Sequence, residues 1–251
     1  MIKVMSFNTR TPVMADGINL FDCRKERILD VLRTEKPDLI GFQEIMDSGR
    51  DWLCEQLGSE YTIVGSGRGA NLTGEGSFVA IRTEAFFLIE MKQFWLSDTP
   101  DVSGSVYVDC GQSKHPRIAV AVRVMHRESG RVIHFVNTHT DHVGAKAREK
   151  GLLLIAEYLS ARTGDMIVTG DMNAKPESAE IKAFLEAVQP MGIVDCTTEV
   201  GDTFHGFGHT AIKIDYVFTN MKVAESYAVE DIPVEGVYYS DHRAVCAVIE
   251  V

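Results

Sequence analysis

Six short polar segments, spread over most of the chain, contain the residue types that metal-assisted phosphoester hydrolysis requires. Each segment ends or follows an apolar run that is typical of a strand. The segments are Ser6-Phe7-Asn8, Gln43-Glu44, Asn137-Thr138-His139, Gly170-Asp171-Met172-Asn173, Ile214-Asp215-Tyr216 and Ser240-Asp241-His242. Carboxylate and amide oxygens suit Mg²⁺, and a phosphoryl centre also needs an oriented water and donor groups for its developing charge. The ordered set therefore predicts an enzyme site.

The elements between these segments must bring the polar residues together. Runs with strand character cover 2–7, 38–43, 61–64, 77–81, 86–95, 118–125, 132–136, 166–169, 214–218, 223–229 and 244–251. Helical periodicity predicts a helix with Asp22 as N-cap through about Thr34, a helix over 145–162, and one from an N-cap at Ser178 to near Val188. The turn signature at 128–130 favours an antiparallel hairpin. The pattern predicts an α/β (α+β) protein with two packed, mostly antiparallel sheets flanked by helices.

Composition narrows the class of protein further. A chain of 251 residues can form one large α/β domain or two small ones, and the polar segments come from both ends, so we predict a single domain over 1–251. The five cysteines include no CxxC pair, which favours reduced thiols in a cytoplasmic protein. The N-terminal residues lack the apolar region of a signal peptide, and no apolar run has the length of a membrane span.

The ordered segments resemble those of the endonuclease/exonuclease/phosphatase superfamily, which has the DNase I-like fold. The resemblance runs from Ser6 to His242, and three further stretches are similar to a bacterial branch of uncharacterised metal-dependent hydrolases. These stretches are Asp16-Gly17-Ile18-Asn19 with Arg24, Phe94-Trp95-Leu96-Ser97-Asp98-Thr99-Pro100, and Asn137-Thr138-His139-Thr140-Asp141-His142. The resemblance implies a four-layer sandwich of two sheets with helices on both outer faces.

The resemblance also implies a set of metal-binding residues. Glu44 is the expected principal ligand of a Mg²⁺ or Mn²⁺ ion, with Asp241 close to the same ion. The amide of Asn8 is expected to hold the metal or a phosphate oxygen, although an asparagine at this position could also simply form a turn. An unpaired carboxylate after a buried strand is costly, so Glu44 needs a metal or cationic partner in any case.

Five residues are expected to perform the reaction. By resemblance, Asp171 orients or deprotonates the attacking water, and Asn173 holds this water or a phosphate oxygen; an Asx-turn is the alternative for this pair. Asp215 is placed to accept a hydrogen bond from His242, which would fix the tautomer of the imidazole and raise its pKa. His139 would stabilise the transition state or protonate the leaving oxygen. A purely structural histidine is the alternative for His242.

Residues near the catalytic set are candidates for substrate binding. Arg10 and Arg117 could clamp phosphate oxygens because a guanidinium binds two oxygens at once, and His142, next to Asp141, could either contact substrate or hold its loop. The glycine-rich stretch at 65–69 lacks the following helix and the Lys-Ser/Thr of a P-loop. A loop at the edge of the cleft, with Arg68 touching substrate, fits that stretch better.

The predicted function is therefore a divalent-metal-dependent phosphoester hydrolase that acts on a small or short phosphorylated substrate. A phosphodiester ranks first, because the sequence shows no dense basic pocket for a multiply charged monoester. A nuclease is the alternative, but a net charge of −11 argues against a broad basic face for nucleic acid. A phosphomonoesterase for a sugar or inositol phosphate ranks lower, as does a non-catalytic binding module, since Asp171, Asn173 and His242 are all present. The oligomeric state stays open.

Overall fold

The computed structural model describes residues 1–251 and contains twelve strands and four α-helices. The strands are β1 (Ile2–Asn8), β2 (Leu39–Ile45), β3 (Tyr61–Val64), β4 (Gly76–Arg82), β5 (Phe86–Trp95), β6 (Ile118–His126), β7 (Val132–His139), β8 (Asp165–Asp171), β9 (Val194–Asp195), β10 (Asp215–Thr219), β11 (Val223–Ala228) and β12 (Val245–Ile249). The α-helices are α1 (Phe21–Glu35), α2 (Asp47–Leu57), α3 (Ala145–Ser160) and α4 (Ala179–Val188). Short 3-10 helices lie at Met14–Asn19, Gln189–Met191 and Gly206–Gly208.

The strands form two six-stranded sheets. The first sheet has the order β11-β12-β1-β2-β4-β3, and the second has the order β5-β6-β7-β8-β10-β9. Only β1 with β2 and β7 with β8 pair in parallel, and the other pairs are antiparallel. The prediction of two mostly antiparallel sheets is confirmed.

Apolar side chains fill three layers between the elements. One cluster of 20 buried residues joins the inner faces of the two sheets, with Val4 and Val79 from the first and Val120 and Phe135 from the second. A second cluster packs α1 and α2 on the first sheet, and a third packs α3 and α4 on the second. The result is the expected four-layer sandwich, and none of its helices combines the length and apolar character needed to cross a membrane.

One helix start differs from the prediction, and a second lies where it was predicted but lacks a capping hydrogen bond. The helix α1 begins at Phe21 with Leu20 at the N-cap, so Asp22 is not the cap. Asp22 instead lies in the first turn, where its carboxylate is 2.5 Å from Lys25 Nζ. Ser178 does occupy the N-cap of α4, but its hydroxyl makes no hydrogen bond. The helix start at Phe21 therefore depends on the burial of Phe21 rather than on a capping side chain.

A buried polar network joins the two sheets at the end where the parallel strands terminate. Asn137 on β7 donates to the carbonyl oxygens of Phe42 (2.8 Å) and Phe78 (3.0 Å) on the other sheet. Its Oδ1 accepts from Gln43 Nε2 at 2.7 Å. Gly41 makes this approach possible, because a Cβ at that position would lie 2.4 Å from Asn137 Oδ1. Asn137 and Gln43 thus hold the sheets in register and do not face the cleft.

Candidate active site

The predicted polar segments meet at one end of the sandwich. The parallel strands β1 and β2 bring Asn8 and Glu44 to this end, and the parallel strands β7 and β8 end there at His139 and Asp171. The strand β10 runs antiparallel to β8 and begins at the same end, with Asp215 opposite Asp171. Side chains from both sheets therefore converge on one cleft.

A cavity of about 410 Å³ opens at this end. Its lining contains Arg10, Thr11, Glu44, Arg68, Glu75, His115, Arg117, His139, His142, Asp171, Asn173, Phe204, Ile214, Asp241 and His242. All of the predicted site residues line it except Asn8 and Asp215, which are buried behind it. A larger cavity of about 540 Å³, between α1 and residues 229–239, contains none of these residues.

Asn8 links the two carboxylates at the base of the cavity. Its Nδ2 donates to Glu44 Oε1 at 3.2 Å and to Asp171 Oδ2 at 3.0 Å. Its own oxygen accepts from the backbone N–H of Arg10 at 3.0 Å, so this oxygen is already engaged. Glu44 also accepts from the backbone N–H of Thr11 at 2.8 Å. In this arrangement Asn8 orients the two carboxylates, and the contact of its amide with a metal or a phosphate oxygen stays a prediction.

The carboxylates of the cavity form a donor set that fits a divalent cation. Glu44, His139 and Asp171 each present a ligand atom within 4.8 Å of the others. Asp241 is not a member of this group, and its Oδ2 lies 3.5 Å from Arg10 Nε. Oxygen donors of this kind suit Mg²⁺ or Mn²⁺, with remaining positions left to water and substrate.

The pKa values of these carboxyl groups are shifted because the groups are buried close to one another. Burial and the neighbouring Asp215 raise the pKa of Asp171 to about 7. Burial also raises the pKa of Asp241. Burial opposes the ionisation of Glu44 as well, but the N–H of Thr11 and the charge of His242 lower its pKa overall. Several acids in one buried space need positive charge, and a divalent cation would supply it.

His242 is held by the carboxylate of Asp215. Its Nδ1 is 2.9 Å from Asp215 Oδ2, and both side chains are buried, so the predicted hydrogen bond is present. Burial lowers the pKa of His242, but Asp215 outweighs it and the pKa rises to about 10. The Nε2 faces the cavity, 3.7 Å from Asp171 Oδ2. Phe204 packs on the ring with centroids 4.8 Å apart, which leaves an imidazolium fixed in orientation and facing the acids.

His139 and Asn173 form the opposite wall. Asn173 Nδ2 lies 3.0 Å from His139 Nε2, and the backbone N–H of Asn173 donates to Asp171 Oδ1 at 2.8 Å. Burial lowers the pKa of His139 well below its ordinary value, and the charges of Arg117 and Arg68 lower it further. Of these two facing histidines, His242 is therefore charged and His139 neutral, which suits them to different roles.

Backbone strain is concentrated in the same residues. Arg10, Glu44 and Asn173 have φ angles of 60°, 63° and 46°, in the left-handed region that non-glycine residues rarely adopt. Such conformations persist where the surrounding structure holds them, and they cluster at functional sites. For Glu44, this geometry turns the carboxylate out of β2 toward Asn8.

The cavity also has a cationic side, which brings together the predicted Arg68, Arg117 and His142 with His115, a residue that the sequence did not indicate. Arg117 is buried, and its Nη2 lies 2.9 Å from Nδ1 of His142. Arg68 lies beside Glu75, and His115 completes this side of the lining. The premise that the protein has no dense basic pocket is therefore wrong. His115 and Glu75 lie in irregular loops, where no periodic pattern pointed to them.

Arg10 is more constrained than a free phosphate clamp. Its Nε and Nη2 donate to the two carboxylate oxygens of Asp16, each at 3.0 Å. The fully buried Arg24 lies beneath this segment and donates to the carbonyl oxygens of Thr9, Arg10, Asn19 and Tyr239 at 2.7–2.9 Å. The Asp16-Gly17-Ile18-Asn19 and Arg24 stretches thus support the segments that carry Asn8 and Asp241.

Comparison with known proteins shows which family the chain resembles in sequence and in structure. The endonuclease/exonuclease/phosphatase family is matched over residues 5–242. An endonuclease/exonuclease/phosphatase from Bacteroides vulgatus is 27% identical, with a TM-score of 0.90 over 100% of this chain and 98% of that chain. A mannosyl-6-phosphatase from Bacteroides thetaiotaomicron is 26% identical, with a TM-score of 0.88 over 100% of both chains. No curated protein is significantly similar in sequence.

More distant structures share the fold alone. TDP2 from D. rerio, solved with a single-strand DNA product, is 16% identical, with a TM-score of 0.76 over 100% of this chain and 99% of that chain. The chain belongs to the endonuclease/exonuclease/phosphatase family, whose members are phosphoester hydrolases that generally depend on a divalent metal. The predicted DNase I-like fold and enzyme class are confirmed.

Proposed function

We propose that the protein is a Mg²⁺- or Mn²⁺-dependent hydrolase of small phosphomonoesters. The observation that carries this proposal is that one cavity of about 410 Å³ has carboxylates on one side and the cationic pair Arg68 and Arg117 on the other. A small, multiply charged monoester matches this distribution of charge better than a diester with a single negative charge. The sequence placed a diester first only because this basic side was not visible, and the diester is now the alternative.

The nature of the lining supports a small, polar substrate. Its only hydrophobic residues are Phe204 and Ile214, and Phe204 packs on His242. The mannosyl-6-phosphatase with 26% identity over both complete chains supports a sugar phosphate or similar polyol phosphate as the substrate.

The net charge of −11 supports slow action on long nucleic acids. The free state of all five cysteines supports the predicted cytoplasmic location.

We assign roles from the contacts of each side chain. Glu44 and Asp171 would hold the metal with Asp241 nearby, while Asn8 keeps the first two carboxylates together. A bound divalent ion would neutralise phosphoryl oxygens and make the attacking water more acidic. Asp171 also orients this water, since its Oδ2 faces the cavity between the two histidines.

The remaining polar groups would act on the phosphoryl group itself. His242, kept protonated by Asp215, places positive charge beside the developing negative charge. Asn173 donates to a phosphoryl oxygen or to the attacking water when its contact with His139 is exchanged for substrate. His139, which is neutral before substrate binds, hydrogen-bonds the leaving oxygen.

A substrate panel tests the proposal. The purified protein is assayed with p-nitrophenyl phosphate, bis-p-nitrophenyl phosphate, mannose 6-phosphate, plasmid DNA and short RNA, each with Mg²⁺ or Mn²⁺ and each with EDTA. We expect kcat/KM to be highest on a monoester and lowest on plasmid DNA, and activity to vanish in EDTA. His242→Ala protein from the same preparation is the control for contaminating phosphatases. Faster cleavage of the diester or of plasmid DNA would replace the phosphatase with a phosphodiesterase or a nuclease.

A further inference from the structure

Arg117 has buried donors that the protein does not satisfy. Its side chain is only 5% exposed, and neither Nε nor Nη1 has a hydrogen-bond partner. The nearest carboxylate oxygen, Asp141 Oδ2, lies 3.7 Å from Nε and accepts from the hydroxyl of Ser113. The other oxygen, Oδ1, accepts from the backbone N–H groups of Ser113 (3.1 Å), Val143 (3.0 Å) and Gly144 (2.7 Å). Buried donors are nearly always paired, so a guanidinium in this state on a cavity wall points to an acceptor on a ligand.

Three other side chains with positive or titratable nitrogen atoms share this wall. His142 is tied to Arg117 at 2.9 Å, and the ring of His115 lies 6.2 Å from that of His142. Arg68 comes from a different loop. Trp95 Nε1 donates a hydrogen bond of 2.7 Å to the carbonyl oxygen of Arg68 and so fixes this loop. The wall is assembled from three separate segments and held by their own contacts.

This wall is distinct from the group that serves the scissile phosphoryl. Glu44, Asp171 and His242 form the hydrolytic side, while His139 lies between the two sides, close enough that Arg117 and Arg68 both depress its pKa. Glu75 pairs with Arg68, and Asp141 lies 3.7 Å from Arg117 Nε, too far for a hydrogen bond, so the donors of Arg117 stay unpaired. The wall therefore retains hydrogen-bond donors, on Arg117 above all, that one phosphoryl group on the hydrolytic side does not use.

We propose that Arg68, His115, Arg117 and His142 form a second anion subsite for a carboxylate or phosphate that the substrate carries in addition to its scissile phosphoryl group. This inference rests on the proposed function and narrows it to doubly anionic small phosphomonoesters. A carboxylate and a phosphate share the chemistry that the wall recognises. Guanidinium and imidazole N–H groups donate hydrogen bonds equally to the oxygens of a planar carboxylate and of a tetrahedral phosphate.

Two matched pairs of compounds test the subsite. Glucose 6-phosphate and 6-phosphogluconate differ by a carboxylate, and fructose 6-phosphate and fructose 1,6-bisphosphate differ by a phosphate. Binding is measured by calorimetry on the natural chain in EDTA, where hydrolysis stops, at constant ionic strength, and kcat/KM is measured on the same chain with Mg²⁺. We expect at least one doubly anionic member to bind about tenfold more tightly than its partner, the effect of one charge-assisted hydrogen bond.

Substitutions in the wall test whether its side chains cause the tighter binding of the doubly anionic compounds. His115→Gln, at an exposed position where folding is not at risk, and Arg68→Gln should bring the ratio of affinities toward one. Lys114→Gln is the matched control, because it removes an exposed positive charge next to His115 but outside the cavity lining, and it should keep the ratio.

The outcomes separate this inference from the proposed function. Equal affinities within both pairs, or no binding by any of the four compounds, would overturn the subsite, as would a preference that survives both wall variants. Monoester hydrolysis without such a preference would leave the proposed function intact. Preferential binding without hydrolysis by the natural chain would support the subsite and remove the phosphatase proposal.

Discussion

The pair formed by Asp215 and His242 allows the sharpest test of the catalytic assignment. The hydrogen bond of 2.9 Å to Asp215 is the only one that the imidazole makes, and the other carboxylates lie 3.7 Å and 4.0 Å from Nε2. Asp215→Asn keeps the side-chain volume but removes the charge that orients and protonates the ring. His242→Ala removes the ring itself.

The structure sets the size of the expected losses. A positioned acid–base group contributes about 10²–10⁴ in rate, so His242→Ala should lower kcat/KM by about 10³–10⁴, or about 4–5.5 kcal/mol in activation free energy. Asp215→Asn should lose about 10²–10³, because Phe204 still packs on the ring but nothing fixes its tautomer. The double variant should resemble His242→Ala alone, since Asp215 acts through the histidine.

Stability supplies an independent readout of the same pair. His242→Ala leaves the buried carboxylate of Asp215, whose Oδ1 already lacks a partner, without its cation. Breaking a buried ion pair on one side costs about 3–5 kcal/mol in the free energy of unfolding. Adding Asp215→Asn removes the orphaned charge, so the double variant should be more stable than His242→Ala alone.

The assay is a double-mutant cycle on kcat/KM with p-nitrophenyl phosphate at saturating Mg²⁺, accompanied by urea denaturation of each protein. Asp165→Asn is the control, because this carboxylate pairs with Arg131 at 2.6 Å and lies outside the cavity lining. Its kcat/KM should be unchanged. Fully multiplicative losses, reaching about 10⁵ or more in the double variant, would show that the two residues act separately and would refute the orienting role of Asp215.

Three further predictions concern the metal, the support of the site and the surface. EDTA should abolish activity and Mg²⁺ or Mn²⁺ restore it, and Glu44→Gln should raise the half-saturating metal concentration in a metal titration at least about tenfold. Arg24→Lys, which cannot reproduce a fork of bonds to carbonyl oxygens, should lower the free energy of unfolding by about 2–4 kcal/mol in urea, whereas unchanged stability would contradict its supporting role. Burial opposes the ionisation of Glu35, but Lys3 and Tyr227 lower its pKa below the ordinary value of 4.5. Glu35→Gln should therefore cost about 1 kcal/mol above pH 5 in pH-dependent denaturation, and this difference should disappear as the pH falls through the folded pKa.

Most of the site could be predicted because its residues follow buried strands directly. An apolar run ending in Asn8 or Asp171 carries two signals at once, the strand and the polar residue that terminates it. Parallel pairing of β1 with β2 and of β7 with β8 then brings such ends together. The hydrogen bond between Asp215 and His242 was predictable from the resemblance, but its length and burial were not.

The elements that sequence missed lack such periodic signals. The helix α2 carries Gly49 in its first turns and buries only a narrow stripe with Leu53 and Leu57, so its helical pattern is weak. Arg68, Arg117 and His142 were predicted singly, but His115 and the grouping of all four on one wall were missed. Arg68 and His115 lie in irregular loops, and loop geometry depends on tertiary contacts such as the bond from Trp95 Nε1 to the Arg68 carbonyl oxygen. Conformations with positive φ at non-glycine residues are likewise set by their surroundings.

The site depends on the registration of the two sheets, because each sheet supplies only part of it. Asn8 and Glu44 come from the first sheet, and His139 and Asp171 come from the second, yet the Asn8 amide must reach Asp171 Oδ2 at 3.0 Å. Apolar packing between sheets is tolerant of small shifts, whereas the hydrogen bonds of Asn137 to backbone oxygens of the facing sheet are directional. The network lies one layer below the cavity, so the same contacts that align the sheets also fix the distance between the two halves of the catalytic group.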